Sequence, residues 1–190
     1  MDLTYFAEKK FEKEVYTAKP LAVGEYEDCE FRHCDFSNSS IAGSVFINCR
    51  FTDCNLMMCK TGGTALRDVK FSNCKLLGIR FENCDPFLLS VSFSKCILNL
   101  AGFFKMSLKK TAFTDCTLHE TDFSGADLTQ AVLANCDCHL AVFDRTNLTK
   151  ADLRGAFNYQ IDPTNNQVKK MKVSHDGLHG LLHRFDLDIR

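Results

Sequence analysis

The 190-residue sequence has no tryptophan, only three prolines and no run of about 18 apolar residues. The missing apolar run argues against a membrane span, and Met1 to Lys10 lacks the apolar stretch of a signal peptide. No nucleophile–base pair, glycine-rich phosphate loop or convergent carboxylate pair stands out, so neither an enzyme nor a cofactor is expected. Charge of one sign is missing too: the formal net charge is −1. What the chain does have is 17 phenylalanines and 11 cysteines. Without an export signal, the cysteines are expected as thiols in a reducing, cytoplasmic setting, and their odd number fits poorly with a framework of disulfides.

The apolar residues repeat every five positions. From Phe6 the series runs Phe11, Tyr16, Leu21, Tyr26, Phe31, Phe36, Ile41, Phe46, Phe51, Leu56, Thr61, Leu66, Phe71, Leu76, Phe81. It slips by two residues and resumes at Leu88, Phe93, Leu98, Phe103, Leu108, Phe113, Leu118, Phe123, Leu128, Leu133, Cys138, Phe143, Leu148, Leu153. Helices need a spacing near 3.6 and strands a spacing of 2, so a period of five excludes both as the organising element. Two residues before each large residue lies a smaller one, and ten of the eleven cysteines occupy that position, from Cys29 to Cys136. The cysteines therefore read as small buried hydrophobes. Large and small side chains point inward in two layers, and the backbone pairs with the coils above and below as in a parallel sheet.

Units such as Cys34-Asp-Phe-Ser-Asn38, Thr121-Asp-Phe-Ser-Gly125, Ala126-Asp-Leu-Thr-Gln130 and Ala151-Asp-Leu-Arg-Gly155 resemble the A(D/N)LXX motif of the pentapeptide-repeat family. The resemblance covers roughly residues 4 to 157. It implies an all-β fold, a right-handed quadrilateral parallel β-helix with 20 residues per coil, here with a short C-terminal helix.

Three regions follow: a capping coil over 1–23, the repeats over 24–157 with a small loop near 84–89, and a C-terminal segment over 158–190. In the first coil the small inward position holds Lys9, Glu14 and Lys19, so this coil is expected to splay into a cap. The slip at Asp85, Pro86 and Phe87 predicts an outward loop, since proline removes a ladder donor. Val168, Met171 and Val173 predict a closing segment. Leu178, Leu181, Leu182 and Phe185 form an amphipathic stripe, and Leu187 and Ile189 alternate like a short strand. The stripe must cover the last coil or another copy. Similar family members that act on topoisomerases join through their C-terminal ends, which favours a homodimer. His175, His179 and His183 recur every four residues, but Gly177 and Gly180 interrupt the helix, and metal binding is not expected. Cys136-Asp-Cys138-His139 looks metal-like in isolation, yet in this register both cysteines point inward and His139 outward.

Charge is uneven along the chain. Asp115, Glu120, Asp122, Asp127, Asp137, Asp144 and Asp152 face only Arg145 and Lys150 in their segment, while the stretch from Lys60 to Lys110 is basic. Quinolone-resistance pentapeptide proteins of the Qnr and MfpA type are thought to bind DNA gyrase by resembling DNA, which carries about six charges over the length of two coils. The excess of five acids between Asp115 and Asp152 is of that order. Length, cysteine-rich repeats and the Ile161-Asp-Pro163 tail are also similar to that subgroup and to the microcin B17 immunity type. The resemblance implies a non-enzymatic protein that binds DNA gyrase or topoisomerase IV, with the seven acids or the loop as contact surface and no direct nucleic acid or membrane contact. The alternative is a scaffold for an unrelated protein.

Overall fold

The computed structural model describes residues 3–185 and 187–188. The chain winds into a four-sided rod. Its first four coils each give two strands: β1 (Thr4–Ala7) and β2 (Lys10–Glu12), β3 (Gly24–Glu27) and β4 (Glu30–Arg32), β5 (Val45–Ile47) and β6 (Arg50–Thr52), β7 (Ala65–Arg67) and β8 (Val69–Ser72). Three more follow, β9 (Val91–Ser94), β10 (Ala112–Thr114) and β11 (Val132–Ala134). All pair in parallel: β1-β3-β5-β7 build the first face, and β2-β4-β6-β8-β9-β10-β11 the second. The third and fourth faces are ladders of single bridges, such as Asp35–Asn55–Lys75–Ile97 and Arg80–Gly102–Asp122–Val142. Partners lie 20 residues apart, as Phe31 and Phe51, except across the interruption, where Phe71 pairs with Phe93 at 22. The two-residue slip thus disturbs a single coil.

The five-residue period is held by the backbone at each corner. The residue two after the large one adopts the left-handed conformation, at Asn38, Met58, Leu100, Lys110, Glu120 and Leu140 among others. That conformation costs an ordinary residue about 1–2 kcal/mol, so it persists only where the surroundings compensate. Here such N–H groups donate to a carbonyl of the next coil, as Asn38 to Met57 (2.9 Å) and Leu100 to His119 (2.8 Å). Asparagine and aspartate also stack at corners, with Asn135 donating to Asp115 (3.2 Å).

Inside, aromatic rings stack coil on coil. Phe31, Phe51, Phe71, Phe93 and Phe113 form one column at centroid spacings of 4.6, 5.0, 5.5 and 5.1 Å. Phe81, Phe103, Phe123 and Phe143 form another, meeting the first edge-on. All eleven cysteines are buried and free. They do more than fill space: Cys49 Sγ donates to the Tyr26 carbonyl (3.2 Å) and Cys54 Sγ to the Phe31 carbonyl (3.3 Å). Thr64, Thr121 and Thr146 make the equivalent bond to Ile41, Leu98 and Phe123. The small inward position is therefore a donor to the coil before it, which is why cysteine, serine and threonine recur there.

Two expectations are corrected. The first coil does not splay. β1 pairs with β3 in register, and Phe6, Phe11 and Tyr16 stack on Tyr26, Phe31 and Phe36 at 4.7, 4.7 and 4.6 Å. Lys9, Glu14 and Lys19 stay exposed without leaving register. Nor is Leu88 the inward residue of its coil. It sits at a left-handed corner and is 64% exposed, while Leu89 packs on the core.

Candidate interaction surfaces

The loop is the one break in the otherwise repeating surface of the rod's middle. Asp85 still bridges to Ala65, and its carboxylate accepts the Phe87 N–H (2.9 Å) in a tight turn begun at Pro86. Ser90 Oγ then ties the returning chain to Asp68 (2.8 Å). Phe87, 63% exposed, lies under the Arg67 guanidinium at 5.7 Å. Phe87 and Leu88 are thus two large apolar side chains held outward on a short anchored turn.

The seven acids from Asp115 to Asp152 do not form one surface. Five residues carry the chain a quarter turn, so neighbours in sequence pass to different faces. Asp127 lies on the first face, Asp115 and Asp152 on the second, Glu120 and Asp137 on the third, and Asp122 and Asp144 on the fourth. Most are also engaged locally. Asp152 is held to a pKa of about 2 by its bond with Arg154 (2.7 Å), with Lys172 at 3.7 Å. Burial pushes Asp137 and Asp127 upward, but bonds from His119 and Asn158 to the first, and from Thr129 and Lys109 to the second, leave both below the usual carboxylate range.

The C-terminal segment closes the rod on itself. Val168, Met171 and Val173 pack on the core, and Ser174 leads into a 3-10 turn (His175–Leu178), the single helical turn α1 (His179–Leu182) and a second 3-10 turn (His183–Phe185). The Ile161 N–H donates to the Gly180 carbonyl (2.9 Å). Arg184 bonds to Asp162 and to Thr164 Oγ1. A Cβ on Gly177 or Gly180 would overlap Tyr159, so these glycines let the turn lie flat on the last coil. Of the predicted stripe, Leu181 packs on the core, Leu182 is half-buried, and Leu178 and Phe185 are 39% and 51% exposed. Leu187 is exposed and in no strand, and Ile189 lies outside the described residues.

Beside the docked tail runs an open groove of about 620 Å³, lined in part by His139, Asp176, His179, His183 and Tyr159. Sequence reasoning missed it, because His139 and the tail are distant in sequence. Among the described residues no group of three metal-ligating side chains gathers there or elsewhere. Nor, among them, is any helix long and apolar enough to cross a membrane. Cys136 and Cys138 are fully buried and His139 is exposed, so the three do not converge.

The chain is similar to several solved structures. A trypsin-treated form of QnrB1, described as a plasmid-mediated fluoroquinolone resistance protein, matches with a TM-score of 0.60 at 19% identity, over 100% of this chain and 99% of that one. Full-length QnrB1 matches with a TM-score of 0.49 at 19% identity, over 96% and 99%. HetL, a pentapeptide repeat protein involved in heterocyst differentiation regulation from the cyanobacterium Nostoc sp. strain PCC 7120, gives 0.33 at 16% identity, over 90% and 88%. No curated protein matches the chain. The pentapeptide repeat region matches residues 25–103, and the eight-copy pentapeptide repeats match 96–133 and 121–157. Those matches cover the coils whose inward side chains and parallel ladders repeat every five residues, and the chain belongs to the pentapeptide-repeat family.

Proposed function

We propose that the protein is a binding protein for a type II DNA topoisomerase, DNA gyrase or topoisomerase IV, and that it shields this enzyme from a fluoroquinolone or a peptide toxin. The observation that carries the reading is the extent of the likeness to QnrB1, which takes in the rod and tail together rather than the repeats alone. A filled interior and long regular faces also suit binding better than catalysis. Phe87 and Leu88 on their anchored turn are the contact, since exposed aromatic and aliphatic anchors concentrate binding energy. The scattered acids make DNA-like charge a weak basis for recognition, and the same dispersal favours the second reading, a scaffold for an unrelated protein. A supercoiling assay with purified DNA gyrase and a fluoroquinolone separates the two. Added protein restores supercoiling, and Phe87→Ser with Leu88→Ser abolishes the rescue. No rescue at any concentration leaves the scaffold.

A further inference from the structure

The first face differs from the second and fourth in how it distributes charge. On the second and fourth faces opposite charges neutralise each other within a coil: Glu30 with Arg32 (2.9 Å), Asp152 with Arg154 (2.7 Å), Glu82 with Arg80 (3.5 Å), Asp144 with Arg145 (3.1 Å). On the first face the signs separate along the rod. The half before the loop carries Glu8, Glu25, Glu27, Asp28 and Asp68, with Arg67 as its one cation. The half after it carries Lys109, Lys110, Lys150, Lys169 and Lys170, with Asp127 as its one acid. Asp127 is taken up by Lys109 (3.3 Å), while Lys110, Lys150, Lys169 and Lys170 form no ion pair among the described residues. The five lysines are exposed.

The loop sits at the midpoint. The rungs of the first face centre on Phe6, Tyr26, Phe46 and Leu66, then the loop with Leu89, then Leu108, Leu128, Leu148 and Val168. Four rungs precede the loop and four follow it. A two-fold axis through the loop therefore sets the acidic rungs of Phe6 and Tyr26 against the basic rungs of Val168 and Leu148 of a second copy, while the Leu66 rung, with Arg67 and Asp68, is neutral.

We propose that this face is the contact surface for a second copy of the chain, the two rods lying side by side and antiparallel with their Phe87–Leu88 turns meeting on the axis. Glu8 then faces Lys169 and Lys170, and Glu25, Glu27 and Asp28 face Lys150, each set twice; at the Leu66 rung Asp68 faces Lys110 but Arg67 offsets it. The third and seventh rungs, with Val45, Ile47 and Asn48 against Asp127, Thr129 and Gln130, add little charge. A parallel pairing sets like on like, so electrostatics alone selects the antiparallel one. The two exposed apolar turns supply the dry centre of an isologous contact. Eight steps of about 4.8 Å and a strip about 12 Å wide give roughly 450 Å² per copy. The total of roughly 900 Å² lies below that of standard stable interfaces, so the dimer is weak, micromolar or looser, and sensitive to salt. The loop lies on the axis, so self-association and loop contact with another protein exclude one another. This inference does not depend on the topoisomerase reading.

Sedimentation velocity on the full chain tests it, with protein up to about 200 µM and salt at about 50 and 500 mM. Wild type self-associates at low salt and weakens about tenfold or more at high salt. Lys110→Glu, Lys150→Glu, Lys170→Glu removes the basic half, leaving the face net acidic, and is monomeric. Glu25→Lys, Glu27→Lys, Asp28→Lys makes it basic and is also monomeric. Mixing the two restores a heterodimer. Leu88→Cys gives a disulfide-linked dimer under mild oxidation. A wild type that stays monomeric at low salt overturns the proposal. So does a dimer that survives both charge reversals or is lost on Phe185→Glu, which alters only the tail.

Discussion

Raising the pH should unfold this protein earlier than most, because its core is lined with thiols. Burial pushes Cys49, Cys59, Cys84 and Cys138 up to about 12, against about 8.5 for a cysteine in an unfolded chain. The unfolded state therefore releases protons at a pH where the native state holds them. Stability from these groups is complete below about pH 8.5 and is lost as pH rises towards 12. At pH 9.5 each thiol removes about 1.4 kcal/mol, so the four remove about 5–6 kcal/mol. That is comparable with the whole stability of a typical domain. Lysines stay charged at this pH, so the thiols dominate. Urea unfolding followed by circular dichroism, in reducing buffer at pH 7.0, 8.5 and 9.5, reads the effect as a falling midpoint. Cys49→Ser keeps a donor for the Tyr26 carbonyl and removes one titrating group, so its loss between pH 8.5 and 9.5 should shrink by about a quarter of the four-thiol total. A midpoint unchanged up to pH 9.5 would refute the buried, protonated thiols.

Three further outcomes follow from the packing. Phe113→Asp places a lone carboxylate against the stacked ring of Phe93 and the edge-on ring of Phe123 and should cost several kcal/mol, unfolding the rod in a thermal melt. Cys54→Ala removes only a small side chain and a weak donor to Phe31 and should cost about 1 kcal/mol, whereas Cys54→Arg should unfold it. Gly180→Val drives a side chain into Tyr159, so the tail should undock; limited proteolysis should then cut after residue 174 while the melting temperature of the rod falls little.

The rod was legible because, outside the loop, its inward side chains obey one short period. The phenylalanine columns, the inward cysteines and the two-residue slip at Asp85–Phe87 follow from counting, since one register error would bury charge. What escaped counting depends on geometry the period does not encode. Leu88 holds the right place in the series, but the bulge turns it into a left-handed corner and Leu89 takes the core. Lys9 and Glu14 looked unburiable and are simply exposed, with the coil still in register. Asp115 to Asp152 looked like one acidic segment, but winding at a quarter turn per five residues distributes it around the rod. The same winding gathers Glu8, Glu25, Asp68 and Lys110, Lys150, Lys170, far apart in sequence, onto one face. Gly177 and Gly180 were legible as helix breakers; their use, a close approach to Tyr159, was not.

Direct binding of the full chain to immobilised DNA gyrase tests the functional account most closely, with wild type compared against Phe87→Ser, Leu88→Ser. The account predicts saturable binding by wild type and a loss of about 30-fold or more in the loop variant, the size expected when central apolar anchors are removed. Equal binding by both proteins, or none by either at about 100 µM, would contradict it.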